Sequence, residues 1–147
     1  EQGLIGLWFK GQKYDQDLPP GFVLTANDRL EAFRQANRWL DIYFSGREPD
    51  FTPALSMIGT DFQLEVWRAL LGIPYGQLAS YREIACQVGN PGALRATAHA
   101  ISRNRISIII PCHRVISSNH KLTGYAGGIE RKRALLQLEH SLDLIDD

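Results

Sequence analysis

The chain has 147 residues, 44 % of them hydrophobic, with three Trp and a formal net charge of zero, which suits one ordinary domain or two small ones around a packed core. No apolar run approaches the roughly 18–20 residues of a membrane span and no leader segment is visible, so a spanning helix and a disordered chain are both excluded. Two cysteines, Cys86 and Cys112, without a C-x-x-C spacing argue against a disulfide framework and a thiolate zinc site. They fit a reducing, cytoplasmic setting.

The chain opens at Glu1, already inside an apolar stretch, Gly3-Leu4-Ile5-Gly6-Leu7-Trp8-Phe9, that reads as a strand. The expectation is that further chain precedes it. A Gly/Pro-rich loop (Leu18-Pro19-Pro20-Gly21) leads to a helix capped by Asn27 or Asp28 and running to about Phe44. Leu30, Phe33, Trp39, Leu40 and Tyr43 form much of its apolar face, and Gly46 stops it. Residues 1–55 thus read as a small α+β scaffold unit with nothing catalytic in it, joined by a linker over residues 49–59 to a second unit spanning 56–147.

In the second unit Thr60 caps a helix from Asp61 to about Leu71, with Phe62, Val66, Trp67 and Leu70 on one face. Two short helices follow, from Ser80 to about Val88 and from Pro91 to about Arg103, divided by Gly89-Asn90-Pro91. Pro91 suits a helix's first position. Helix, short Gly turn and helix outline a helix-turn-helix. In the second of the pair Leu94, Ala98 and Ile101 can face the core. Ala93, Ala96 and Ala100 leave the opposite side small, with Arg95 projecting; such a face suits a nucleic-acid groove or tight helix packing. Next, Ser107-Ile108-Ile109-Ile110-Pro111-Cys112-His113-Arg114-Val115-Ile116 reads as a β-branched buried strand broken by a proline turn. A Gly-rich loop, Gly124-Tyr125-Ala126-Gly127-Gly128, precedes a last helix from Ile129 to about His140. Strands flanking a loop behind a helix-turn-helix suggest a wing.

Charge is distributed unevenly. From Tyr81 to Arg133 there are nine Lys/Arg against two acids, Glu83 and Glu130. A basic stretch in a neutral protein is the expected footprint of phosphate binding, although a solvated helix surface would look the same. Cys112 has a base beside it, His113, and a cation after it, Arg114. A thiol becomes a useful nucleophile when a base or positive field favours its thiolate. An isolated cysteine in an apolar strand is ordinarily inert core; Pro-Cys-His-Arg in a row argues otherwise. Adjacent residues of a regular strand face opposite ways, so direct Cys112–His113 contact needs the Pro111 turn or a bridging water.

Ile110-Pro111-Cys112-His113-Arg114-Val115 resembles the alkyl-acceptor motif of the O6-alkylguanine-DNA alkyltransferases, the methylated-DNA–protein-cysteine methyltransferases. The resemblance runs from about Gly59 to Glu139 and includes Ser80-Tyr81, Gly89-Asn90-Pro91 with Arg95-Ala96, and Gly124-Tyr125 with Gly127-Gly128. It implies a small N-terminal ribonuclease-H-like α/β unit, here without the family's first strand, and a C-terminal winged helix-turn-helix-like domain. It also implies an activity: irreversible, single-turnover transfer of an alkyl group from O6 of guanine, and from O4 of thymine, to Cys112.

The roles implied by the resemblance are chemically sensible. Cys112 would attack the alkyl carbon in line, His113 would take the thiol proton through water, and Glu139 would orient the imidazole. Asn104 would brace the turn around the cysteine. Tyr81 would donate to guanine N3 and the Ala126 backbone N–H to O6, neutralising the leaving group. Carbonyls of Cys112 and Val115 would accept from the exocyclic amine, and Tyr125 would wall the pocket. Arg95 would fill the gap left by a flipped nucleotide. Arg114 and Lys132 fall at family positions that are either structural or DNA-binding. The implied partner is alkylated double-stranded DNA, bound by a monomer without cofactor, metal or membrane.

The chain departs from the family where Thr97-Ala98-His99 follows Arg95-Ala96 in place of Val-Gly-Gly, and where Ala126 stands for a frequent Ser. His99 puts a ring where a minimal side chain usually admits DNA. A Cys–His hydrolase would need an oxyanion hole and would leave Arg95 unexplained. A non-catalytic lesion binder would lack Cys112. A detached repair domain of a transcriptional sensor is compatible with the N-terminal unit.

Overall fold

The computed structural model describes residues 3–14, 18 and 29–145. Five helices and two two-residue strands are present among them: α1 (Glu31–Phe44), α2 (Asp61–Leu71), β1 (Ala79–Ser80), α3 (Tyr81–Gln87), α4 (Leu94–Ser102), β2 (Val115–Ile116) and α5 (Ile129–Leu138). Cys112–Arg114 and Leu142–Leu144 form 3-10 turns.

Helix starts follow local chemistry. Thr60 and Gln63 form a reciprocal capping box at α2, and Ser80 and Glu83 form one at α3, each satisfying amides that the first turn leaves without partners. For α1 the expected caps Asn27 and Asp28 lie outside the described residues; the helix begins at Glu31, after an extended Leu30 that makes no side-chain cap. Gly46, at a φ of 89°, ends it.

The buried stripe of α1 is Ala36, Trp39 and Tyr43. Leu30 and Phe33, expected on that face, are exposed. Phe33 falls about a quarter-turn round from the stripe at 100° per residue.

The opening segment is extended but makes isolated parallel bridges instead of a continuous strand: Leu4 to Leu55 and Leu7 to Ile106. It thereby ties the first stretch of chain to both later parts, and one core cluster contains Leu4, Trp39, Tyr43, Val66, Trp67, Ile84, Ile101 and Ile110. Trp67 is buried between α2 and α4, with its indole N–H donating to the Ala100 carbonyl at 2.9 Å.

Three readings of the second unit are corrected. The Asn90 carbonyl accepts the Ala93 N–H at 3.0 Å, closing a turn over Pro91, so α4 begins at Leu94 and Pro91 is not its first residue. The buried face of α4 is Thr97, Ala100 and Ile101, while Arg95, Ala96 and His99 are exposed; Ala100 therefore belongs to the core. The isoleucine run is not a strand. Ile108 has a φ of 71°, and the segment from Ser107 to Ile110 is a series of turns. A β-branched residue at positive φ costs of order 1–3 kcal/mol. Burial of Ile106, Ile108, Ile109 and Ile110, at roughly 1.5–3 kcal/mol each, more than offsets it. β1 and β2 pair in parallel, Ala79 with Val115 and Ser80 with Ile116. The result is a helix-rich mixed fold with one small sheet, set so that α3, α4 and the 3-10 turn at Cys112 converge.

Candidate active site

A cleft of about 340 Å³ opens where these elements meet, within the range of small-molecule sites. Its wall includes Tyr81 from the start of α3, Ala98, Ile101 and Ser102 from α4, Gly124, Tyr125 and Ala126 from the Gly-rich loop, and Lys13 from the opening segment. Asn104 and Cys112 lie at its base. Cys112 is only 7 % exposed, so its sulfur is approached through the cleft. Cys86 is exposed on α3, and both thiols are free.

Asn104 braces the turn around the cysteine. Its Nδ2 donates to the carbonyls of Ile106 (3.2 Å) and Ile110 (3.1 Å) and to Cys112 Sγ (3.3 Å), while its Oδ1 accepts from the Ile106 N–H (3.0 Å). One side chain thus satisfies the backbone groups that an irregular apolar segment would otherwise leave unpaired. Cys112–Arg114 is a 3-10 turn, so adjacent side chains are not forced to opposite faces as on a strand.

His113 and Glu139 are fully buried neighbours: His113 Nε2 lies 2.7 Å from Glu139 Oε2. Arg114 donates Nε to Oε1 (2.8 Å) and Nη2 to Oε2 (3.1 Å), and Nη1 to the Ile73 carbonyl (2.7 Å). Burial pushes the Glu139 carboxyl up, but hydrogen bonds from His113 and Arg114, with their charges, outweigh it and hold the group at about 2. Burial, helped by the Arg114 and Lys132 charges, lowers His113 below its ordinary value against the pull of Glu139, so the imidazole is neutral at pH 7. With Nε2–H donating to an ionised carboxylate, Nδ1 carries the lone pair, and that buried atom has no hydrogen-bond partner. It is placed to accept a proton.

Burial also raises Cys112, opposed by the Asn104 hydrogen bond and by the Lys132 charge. The resting sulfur is therefore a thiol that needs a base to react. Tyr81 Oη lies 3.0 Å from Thr123 Oγ1, and burial raises its phenol, keeping it protonated as a donor. The Tyr125 hydroxyl is buried beside Cys112 and Ser107 without hydrogen-bond geometry to either. Its ring meets those of Phe9 and His113 edge-on at 6.4 and 6.5 Å. Gly127 is required here, because a Cβ would sit 2.6 Å from the Tyr125 ring. The Ala126 carbonyl accepts from the Lys13 N–H at 3.0 Å, fixing the loop.

Of the two readings open for Arg114 and Lys132, the side chains adopt the structural one. Arg114 is committed to Glu139 and Ile73, and Lys132, 1 % exposed, donates to the carbonyls of Val115 (2.6 Å) and Thr123 (3.4 Å). Neither side chain is free to reach a phosphate. Burial lowers Lys132 to about 8, with Cys112 opposing. The Val115 carbonyl thus already accepts one hydrogen bond, and that of Cys112 accepts the Val115 N–H; each keeps a second lone pair. Arg95 stands apart on the exposed face of α4, outside the cleft wall.

Sequence reasoning missed Lys13, Thr123 and Tyr43. The last lies within the supposed scaffold unit and donates its hydroxyl to Glu139 Oε2 at 2.5 Å. A Tyr four residues after Trp39 on a helical stripe looks like core, and nothing local marks it otherwise.

Comparison with known proteins identifies the family. Residues 61–141 match the family model described as 6-O-methylguanine DNA methyltransferase, DNA binding domain. The chain is 57% identical over 110 residues to a methylated-DNA–protein-cysteine methyltransferase of Mycobacterium tuberculosis, covering 75% of this chain and 67% of that protein. It is 47% identical over 141 residues to the protein of that name from Methanosarcina barkeri, covering 96% and 87%. The crystal structure of Mycobacterium tuberculosis OGT in complex with DNA superposes with a TM-score of 0.85 at 48% identity, covering 97% of this chain and 84% of the other. This chain belongs to the family of the 6-O-methylguanine DNA methyltransferases, the methylated-DNA–protein-cysteine methyltransferases.

Proposed function

We propose that this chain repairs alkylated DNA by transferring the alkyl group from O6 of guanine to the sulfur of Cys112. Membership of the family supports the activity. The observation that carries the residue assignment is the placement of buried Cys112 in the lining of the cleft, with Asn104 on its sulfur and, next to it in sequence, His113 paired with buried Glu139.

In the reaction the S–C bond forms as the C–O6 bond breaks. The thiol proton passes to His113 Nδ1 through a water, and Glu139 stabilises the resulting imidazolium. Guanine departs with the bonding electron pair and takes a proton at N3 from Tyr81, while the Ala126 N–H donates to O6. The imidazolium then returns its proton to solvent and Tyr81 is reprotonated. Carbonyls of Cys112 and Val115 use their remaining lone pairs on the exocyclic amine, and Tyr125 closes one wall. The alkyl carbon is inaccessible in stacked duplex, so the nucleotide is flipped into the cleft at a cost of a few kcal/mol. Arg95, on the exposed face of α4, fills the vacated place.

The product is a thioether, which a second nucleophile does not readily open, so the protein is consumed in a single turnover; O4-alkylthymine is a second substrate of the same site. We read residues 1–55 as a ribonuclease-H-like scaffold and 56–147 as a winged helix-turn-helix-like domain, acting as a cytoplasmic monomer on double-stranded DNA. Intact-mass measurement after incubation with duplex containing O6-methylguanine tests the function. One methyl per chain at Cys112, reached at a stoichiometric plateau, is expected. Sustained turnover, or an unmodified Cys112 after complete repair, would refute it.

A further inference from the structure

We propose that Tyr43, on α1, is a positioning residue for alkyl transfer: its hydroxyl fixes the Glu139 carboxylate that holds His113. The inference rests on the reading of Cys112 as acceptor and His113 as base, and it gives the N-terminal helix a part in the chemistry.

Glu139 is the C-terminal cap of α5, where the helix end carries partial negative charge and disfavours a carboxylate. It is also 1 % exposed, so water cannot compensate. Its donors come from two places. His113 (2.7 Å) and Arg114 (2.8 and 3.1 Å) belong to the turn that carries the cysteine. Tyr43, 96 residues away in sequence, supplies the remaining donor to Oε2 at 2.5 Å. Without it the carboxylate is held only by groups of the turn it is meant to steady.

The ring of Tyr43 is locked: it stacks on Trp39 at 5.1 Å with planes 10° apart, and meets Phe44 and Tyr75 edge-on at 5.3 and 6.3 Å. Those contacts would serve a Phe equally well; the hydroxyl is the part that needs Glu139. Burial and the neighbouring carboxylate raise the phenol far above its ordinary value, so it is a donor at every working pH. The groups facing the carboxylate are Tyr43, Tyr75, His113 and Arg114, and Lys132 faces the imidazole. Tyr43→Phe changes no formal charge, but loss of its hydrogen bond leaves Glu139 more basic, so His113 should hold its proton more tightly.

The experiment is single-turnover thioether formation with free O6-benzylguanine, from pH 5 to 8, in wild type, Tyr43→Phe, Leu40→Ala and His113→Gln. The free base bypasses nucleotide flipping. Tyr43→Phe should move the acid limb up by about one pH unit and lower the plateau roughly tenfold. Leu40→Ala truncates a partly buried residue of the same helix; it should lower the melting temperature yet leave the limb in place. A Tyr43→Phe profile that superposes on wild type overturns the inference, as does an equal displacement by Leu40→Ala, which would assign the effect to helix packing. If the acid limb survives in His113→Gln, the assignment of His113 as base fails, which is distinguishable from failure of Tyr43 alone.

Discussion

Lys132 is a buried cation held for a purpose, and replacing it by Met separates its structural from its chemical share. The substitution keeps all but the last atom of the side chain's length and removes the charge. In the folded chain the ammonium titrates at about 8 against an ordinary 10.5, a gap worth about 3 kcal/mol at 1.36 kcal/mol per pH unit. The sign follows from proton counting: between pH 8 and 10.5 the unfolded chain binds more protons than the folded one, so this group makes stability rise with pH there. Below pH 8 the full penalty of burying the charge is present. Met removes that penalty but leaves the Val115 carbonyl without the donor that sits at 2.6 Å, at a cost of about 1–3 kcal/mol. Near neutral pH the two nearly cancel. Urea unfolding of both proteins from pH 7 to 10.5 should therefore show wild type gaining on Lys132→Met by up to about 3 kcal/mol across the window. Titration of the tyrosines and of Cys86, common to both, cancels in the difference, whereas Cys112, whose thiolate Lys132 favours, titrates higher in the Met variant and adds to the difference with the same sign. At the same time the thiolate at Cys112, which Lys132 favours, becomes harder to form, and alkyl transfer at pH 7.5 should slow by roughly tenfold. Parallel stability curves would show that the ammonium is not desolvated. An unchanged transfer rate would show that its charge does not reach the sulfur.

Other outcomes follow from the same geometry. Cys112→Ser should abolish transfer while lesion binding persists, whereas Cys86→Ser, on an exposed position of α3, should transfer normally; comparable losses measured by intact mass would make the acceptor assignment wrong. Arg95→Ala should slow repair of duplex DNA by roughly tenfold or more and leave reaction with O6-benzylguanine nearly unchanged, and equal slowing of both would place Arg95 in the cleft. Alkylated protein should be less stable than free protein by about 1–3 kcal/mol and melt lower, because the added carbon sits on a sulfur already 3.3 Å from Asn104 Nδ2; calorimetry showing no change or a rise would mean the cleft accepts the group without strain.

What the sequence determined by itself is what local chemistry fixes. Thr60 and the apolar spacing after it place α2, Gly46 ends α1, and the Pro-Cys-His-Arg run with its companion blocks marks the proposed acceptor. These signals act within a few residues, through unpaired helix-end amides and side-chain periodicity, so they survive without knowledge of the fold. Tertiary structure decided the rest. Ile108-Ile109-Ile110 has strand composition, yet Asn104 offers the Ile110 carbonyl another partner and burial compensates for the positive φ at Ile108. Sequence leaves Arg114 and Lys132 open between structural and phosphate-binding roles; packing turns both inward, where Glu139 and the Val115 carbonyl claim them. Tyr43 and Glu139 meet across 96 residues; no local pattern encodes that bond, because it exists only once the chain has folded Tyr43 of α1 against the C-terminal end of α5.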